Sequence, residues 1–229
     1  MKQRKAAFFD IDGTIFRSSL LIELVEGMVR EGIFPRPVAK VYARAFARWL
    51  DRKGPYEDYI GAVIRAFEGN LRGVPAKDFR RAAQAAVNFQ RNRVYRYTRD
   101  LVRDLKRRGY FLVAISNSPK DILDEFCGQL GFDKVYGRVY EADARGRLTG
   151  KTLHLDLIRD KAKILRRAVD RNGLTLRGSV GVGDTESDIP FLKLVDKAIC
   201  FNPNARLYRY AKRAGWRVVV ERKDVVFEL

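Results

Sequence analysis

The feature that most constrains this chain is where its first strand-like run falls. Residues 5–10 (KAAFFD) suit a short buried strand and end in an acidic turn, Asp10-Ile11-Asp12-Gly13-Thr14. The next comparable run, residues 110–116 (YFLVAIS), comes only after helical periodicity that lasts from Ser18 to about residue 106. Within that stretch Val38, Val41, Tyr42, Ala45, Phe46, Trp49 and Leu50 fall at the three-and-four spacing of an amphipathic helix, and Tyr59, Ile60, Val63, Ile64 and Phe67 repeat it. Breaks at residues 32–37, at Lys53-Gly54-Pro55 and at Gly73-Val74-Pro75 divide it into three or four helices. Successive helices with no strand between them predict a small all-helical bundle inserted after the first strand.

Strand and helix then alternate. The run at 110–116 is apolar throughout, as a parallel strand covered on both faces must be. A helix over 120–130 follows, then a hairpin of 135–140 with 147–153 around Asp143-Ala144-Arg145-Gly146. The remaining pattern predicts a helix at 159–171, a strand at 179–183, a helix at 188–194, a strand at 198–201, a helix at 205–214 and a closing strand at 218–220. This succession predicts an α/β fold, a doubly wound parallel sheet with its site at the carboxyl ends of the strands. The domain boundaries expected are 1–16 with 93–229 for the core and 17–92 for the helical insertion.

Composition narrows the chemistry. No apolar run approaches the roughly 18 residues that cross a bilayer, and the apolar stretch before Asp10 is too short for a signal peptide, so a cytoplasmic protein is expected. Cys127 and Cys200 stand far apart without metal-ligand spacing and read as buried free thiols. A single histidine, His154, argues against a Ser-His-Asp triad or a histidine metal cluster, so the chemistry falls to carboxylates and lysines. The net charge of +18, from 46 Lys+Arg against 28 Asp+Glu, favours anionic partners: a small phosphorylated substrate, nucleic acid or an anionic membrane. A basic surface adapted to heat would read the same way. Arg44, Arg48 and Arg52 share one helical face, either a solvated face or one that steers an anion.

The acids that follow predicted strands carry the functional signal. Asp10 and Asp12 follow the first strand; Asp184 and Asp188 follow the strand at 179–183. Parallel strands bring those ends to one edge, where several carboxylates repel one another unless a cation sits among them. An all-oxygen set of this kind suits Mg²⁺. Ser116 closes the run at 110–116, and Lys161, with Lys151 and Lys163 as rivals, opens a helix on the same edge. A hydroxyl and an ammonium beside a helix N-terminus cradle phosphate.

These segments resemble the haloacid dehalogenase superfamily. Phe8-Phe9-Asp10-Ile11-Asp12-Gly13-Thr14 resembles its first motif, Ser116 after Leu112-Val113-Ala114-Ile115 its second, Lys161 in Lys161-Ala162-Lys163-Ile164-Leu165 its third, and Gly183-Asp184 through Asp188 its fourth. The third segment, with Phe201-Asn202-Pro203 and Gly215-Trp216, is similar to subfamily IB and its phosphoserine phosphatase branch. The resemblance implies a Mg²⁺-dependent phosphatase working through an aspartyl-phosphate, with a helical cap of the C1 type over residues 17–92. It implies that Asp10 attacks phosphorus and that Asp12 serves as acid and then base. Asp10, Asp12 (through its carbonyl), Asp184 and Asp188 would hold the metal; Ser116, Asn117 and Lys161 would hold phosphate. The cap glutamate that phosphoserine phosphatases carry nine residues after the nucleophile is Ser19 here, and their Gly-Gly after the second-motif serine is Asn117-Ser118. Both departures weaken the case for phosphoserine. Phosphotransfer from the same site, or action on a nucleic-acid end or lipid head group, are the competing expectations.

Overall fold

The computed structural model describes residues 3–229, and the chain forms two compact units. One runs to Ser18 and resumes over Asn92–Arg138 and His154–Leu229; the other comprises Ser19–Arg91 and Val139–Leu153. Strand β1 (Arg4–Phe9) begins the first unit. The second unit follows with helices α1 (Leu20–Arg30), α2 (Val38–Leu50), α3 (Tyr56–Leu71) and α4 (Ala76–Gln90). The chain re-enters the first unit for α5 (Arg96–Arg107), β2 (Phe111–Pro119) and α6 (Lys120–Leu130). Strand β3 (Lys134–Ala142) starts in the first unit and ends in the second, where the chain returns as β4 (Leu148–Leu153). The first unit is completed by α7 (Leu155–Ile158), α8 (Lys161–Asn172), β5 (Leu174–Gly183), α9 (Ile189–Leu192), β6 (Lys197–Phe201), α10 (Ala205–Ala214), β7 (Arg217–Arg222) and β8 (Val225–Glu228).

The strand order is β4-β3-β2-β1-β5-β6-β7-β8. All neighbours from β3 to β7 are parallel, and β4 and β8 run antiparallel at the two edges. The chain steps outward from β1 through β2 to β3, then crosses back to β5 and steps outward the other way. That reversal places the topological switch point at β1, and folds of this kind set their sites beyond the carboxyl ends of the strands at such a point. The expected α/β class, with a largely parallel sheet, is the fold observed.

Burial explains the unbroken apolar run of β1. Ala6, Ala7, Phe8 and Phe9 are all fully buried. Ala6 and Phe8 join Ile164, Leu165 and Ala168 of α8, together with Phe191 and Leu207, in one cluster. Phe9 points to the other face and meets Phe132 edge-on at 5.7 Å. Side chains on alternate faces therefore both find a packed layer.

The second unit has its own aromatic core. Phe67 lies 6.1 Å from Phe34, 6.1 Å from Phe79 and 5.5 Å from Tyr140. Gly73 N–H donates to the Leu148 carbonyl, and Leu148 N–H to that of Val74, each at 2.8 Å. These bonds fix the hairpin arm to the turn between α3 and α4, so residues 139–153 go with the helices and not with the core where sequence analysis counts them. Among the described residues no helix is long and apolar enough to cross a membrane.

Strands β5 and β8 differ from expectation in instructive ways. Strand β5 begins at Leu174, before an irregularity in its pairing with β1; Gly178, with φ +75°, interrupts the apolar pattern there. Strand β8 has no counterpart in the sequence reading. It is a short edge strand with Val225 and Phe227 about half exposed, reached through a Lys223-Asp224 turn that lacks the usual Asn-Gly or Asp-Gly signal. Phe8→Ala leaves a cavity against α8 and is expected to cost about 3–5 kcal/mol, read as a lower denaturation midpoint at unchanged slope.

Candidate active site

The register of the central strands sets the site. Phe9 of β1 pairs with Ala114 of β2 and Val182 of β5, so Asp10, Ser116 and Asp184 leave the sheet within two residues of one level. Asp10 is tied there by its own N–H, which donates to the Val182 carbonyl at 2.9 Å. Oxygens of Asp10, Asp184 and Asp188 all lie within 4.8 Å of one another.

Lys161 stands at the centre of this group. It is the first residue of α8, whose N-cap Asp160 accepts hydrogen bonds from the N–H groups of Ala162 and Lys163. The Lys161 ammonium is buried and lies 2.5 Å from both Asp10 Oδ1 and Asp188 Oδ1. Its rivals are exposed: Lys163 on the outer face of α8 and Lys151 on β4, the latter 3.8 Å from Glu141. Asp188 is fully buried and has both oxygens engaged, Oδ1 by Lys161 and Oδ2 by the N–H groups of Asp184 and Thr185 at 3.0 and 3.1 Å. It holds the lysine and the turn after β5 in place. No donor among the described residues reaches the carboxylate of Asp184.

Two glycines allow this packing. Gly13, at φ +79°, passes so near that a Cβ would overlap the Asp184 carboxylate. A Cβ on Gly183 would sit 2.5 Å from Asp188 Oδ2. Any side chain at either position would push an acid out of the cluster.

Asp12 belongs to a separate network. Ser116 and Ser118 donate their hydroxyls to Asp12 Oδ2 at 2.5 and 2.8 Å, and Ser118 N–H donates to Ser116 Oγ at 2.9 Å. Both serines are buried, while Asn117 between them is exposed. The sequence reading places Ser118 with Asn117 at the site mouth, as a contact for the leaving group; here its hydroxyl is turned to Asp12. The signal was there, because β2 continues to Pro119 and residues two apart on a strand share a face. The structure thus brings Asp10, Asp184, Asp188 and Lys161 together, joins Asp12 to Ser116, and leaves Asn117 in solvent.

The electrostatics follow from burial. Desolvation raises the pKa of Asp10 to about 7, against the favourable charge of Lys161 and with added repulsion from Asp188 and Asp12. Burial also pushes Asp184 well above the usual carboxylate range, helped by Asp10 and Asp188. Burial works against the charge on Lys161, but Asp10 and Asp188 overcome it and hold the ammonium protonated. One lysine against three neighbouring acids leaves an excess of negative charge, and every donor is a hard oxygen. The set fits a divalent cation.

A consequence is testable in the protein freed of metal. The pKa of Asp10 is raised on folding, so its contribution favours the folded state below the ordinary carboxylate pKa and is lost as pH rises through about 7. A divalent cation binds the anion and displaces the proton. The rise in Tm on adding Mg²⁺ to chelator-treated protein is therefore expected to be larger at about pH 8 than at about pH 5.5. An equal or larger rise at the lower pH would contradict the cluster's role.

Known proteins resemble this chain in sequence and in fold. The sequence profile of the haloacid dehalogenase-like hydrolases matches residues 7–193. Phosphoserine phosphatase SerB1 of Mycobacterium tuberculosis is 27% identical over 219 residues, 93% of this chain and 70% of that protein. A crystal structure of a Bordetella pertussis Tohama I protein of unknown function superposes with a TM-score of 0.76 at 20% identity, covering 95% of this chain and 98% of that one. A phosphoserine phosphatase solved as a phospho-aspartyl intermediate analogue gives 0.62 at 21% identity, covering 97% and 96%. At such identities these two structures speak to the fold.

Proposed function

Because the chain belongs to the haloacid dehalogenase-like hydrolases, as a phosphatase of the phosphoserine phosphatase-like kind, we propose that it hydrolyses a small phosphate monoester through a phosphoryl group carried on Asp10. The observation that carries this reading is the buried Lys161 ammonium, 2.5 Å from Asp10 and from Asp188, with Asp184 in the same cluster. A nucleophilic carboxylate needs to be placed and held; Lys161 does both.

Uncatalysed hydrolysis of a phosphate monoester is slow enough that roughly 20 kcal/mol or more of barrier lowering is required. Positioning and neutralisation of the phosphoryl oxygens supply most of it. In the proposed reaction Asp10 attacks phosphorus as the bond to the leaving oxygen breaks, and Asp12 gives that oxygen its proton. Asp12, now an anion, takes a proton from water; that water attacks phosphorus, frees inorganic phosphate and regenerates the Asp10 carboxylate. Ser118 would hold Asp12 in one orientation for both proton transfers, and Ser116, which donates to Asp12 here, would turn its hydroxyl to the phosphoryl group. Lys161, Ser116 and Asn117 would meet the phosphoryl oxygens. Mg²⁺ would be held by Asp10, the Asp12 carbonyl and Asp184, and when bound supplies positive charge opposite the transferring group. Asp188 would act by orienting Lys161 and the turn after β5.

We read the second unit, residues 19–91 with 139–153, as the cap that would exclude water during transfer. Ser19, just before α1, is buried and carries no acid, whereas Glu23, one turn on, is buried and accepts from Gln90 at 2.8 Å. This departure from the phosphoserine pattern favours a different small monoester. The buried free thiols of Cys127 and Cys200 accord with a cytoplasmic enzyme.

A panel of phosphorylated metabolites, assayed for released phosphate with Mg²⁺ present, tests the reading. Asp10→Asn is expected to lower turnover by at least about a thousandfold with the fold retained, and chelation is expected to abolish the wild-type signal. Residual activity of the variant above about a tenth would remove Asp10 as the attacking group. Transfer to an acceptor with no free phosphate would make the protein a phosphotransferase.

A further inference from the structure

Helix α5 crosses its side of the sheet obliquely. At its start the ring of Tyr97 stacks on Phe201 of β6 at 5.7 Å, and the N–H groups of Arg96 and Tyr97 donate to Glu221 of β7 at 3.1 and 2.8 Å. Beyond its end the carbonyls of Gly109 and Tyr110 accept from Arg4 of β1. Between the second half of α5 and the amino ends of β5, β6 and β7 this leaves a cavity of about 400 Å³, wholly within the first unit. That volume is in the range of small-molecule sites. The cavity lies at the opposite edge of the sheet from the catalytic cluster. Lys197 and Arg217, which line it, are the first residues of β6 and β7, whereas Asp10 and Asp184 come just after the last residues of β1 and β5.

Its floor and wall are apolar and its mouth is charged. Val180 pairs with Lys197, and Ile199 with Arg217, so these four side chains rise from the same face of the sheet. Val180 and Ile199 are buried and form the floor; Leu101 and Leu105, one turn apart on α5, form the wall. At the mouth Arg108 pairs with Asp104 at 3.0 Å and Arg217 pairs with Glu228, so both guanidinium charges are answered. Lys197 makes no ion pair with any described residue. Asp196 beside it is fixed by two hydrogen bonds: its N–H donates to Ser179 Oγ at 3.0 Å, and its Oδ2 accepts from Gly178 N–H at 2.8 Å. Its Oδ1 accepts no hydrogen bond from a described residue. What stands open at the mouth is one charge of each sign above an apolar hole.

We propose that this cavity binds a free α-amino acid with an apolar side chain. The α-carboxylate meets the Lys197 ammonium, the α-ammonium meets Asp196 Oδ1, and the side chain enters between Leu101 and Leu105 on one side and Val180 and Ile199 on the other. Both polar contacts are charge-assisted, and the hydrocarbon walls are of the kind that line small-molecule pockets. A simple carboxylate leaves Asp196 unanswered and an amine leaves Lys197 so; a zwitterion answers both. A phosphorylated metabolite brings more negative charge than a mouth holding Asp196 accepts and less hydrocarbon than the walls require. The inference rests on this cavity alone and is independent of the catalytic reading.

The test uses the full chain and isothermal titration calorimetry with four probes. These are L-phenylalanine; 3-phenylpropionate, which lacks the ammonium; 2-phenylethylamine, which lacks the carboxylate; and glycine, which lacks the side chain. L-phenylalanine is expected to bind saturably, and the other three at least about tenfold more weakly. Lys197→Gln is expected to weaken L-phenylalanine at least about tenfold and to leave 2-phenylethylamine unchanged. Asp196→Asn is expected to weaken it as much and to leave 3-phenylpropionate unchanged. Both side chains are exposed, and an asparagine oxygen still accepts from Gly178, so each variant is expected to keep the wild-type Tm. Leu101→Trp, which fills the cavity from its half-buried side, is expected to abolish binding. Three results would overturn the proposal. One is no saturable heat with L-phenylalanine. The second is 3-phenylpropionate binding as tightly as L-phenylalanine, with Asp196→Asn without effect, which would mark a site for simple carboxylates. The third is L-phenylalanine binding that survives all three variants, which would place the amino acid elsewhere on the protein.

Discussion

The contact of the Lys161 ammonium with Asp10 and Asp188 is the constraint around which the first unit is organised. Burying one charge is costly; burying a lysine and several acids together is tolerable only where geometry is tight and the remaining oxygens are satisfied. Here α8 begins at the lysine, its Asp160 cap fixes the first turn, and the turn after β5 gives two N–H groups to Asp188. What remains unsatisfied is Asp184 and the free edge of Asp10. That excess of negative charge is where the proposed reaction would set a cation and a phosphoryl group.

The sheet makes this possible through its order. Had β5 followed β3 outward on the same side, Asp10 and Asp184 would have been separated by two strands. The return across the sheet sets β5 beside β1, and parallel pairing aligns their carboxyl ends. Gly13 and Gly183 then let the backbone come close enough for the acids to share one space. The same acids in an antiparallel pair would have emerged at opposite edges. Topology and catalysis are one argument in this fold.

Much of this was legible in the sequence for specific reasons. The unbroken apolar runs ending in Asp10 and Ser116 announce strands buried on both faces, and the helical periodicity from α1 to α4 is strong because each helix keeps a wet side. The choice of Lys161 over Lys151 and Lys163 was not legible from spacing, since all three lie near one another in sequence; it is settled by burial, which depends on where α8 starts. The bond from Ser118 to Asp12 was hidden because β2 runs past the point where its apolar run stops. The hairpin arm's place with the helices was hidden too, because the bonds between Gly73, Val74 and Leu148 join segments far apart in sequence. Strand β8 was lost because an exposed edge strand with an unremarkable turn has no periodic signature.

The claim that Asp10 carries the phosphoryl group is tested most directly by trapping it. Protein turning over a phosphate monoester would be quenched in acid and reduced with borohydride, which converts an acyl phosphate on aspartate to homoserine, and the peptides would be read by mass spectrometry. The account predicts homoserine at position 10 and at none of positions 12, 184 or 188. Homoserine at one of those acids, or none anywhere while phosphate is being released, would contradict it.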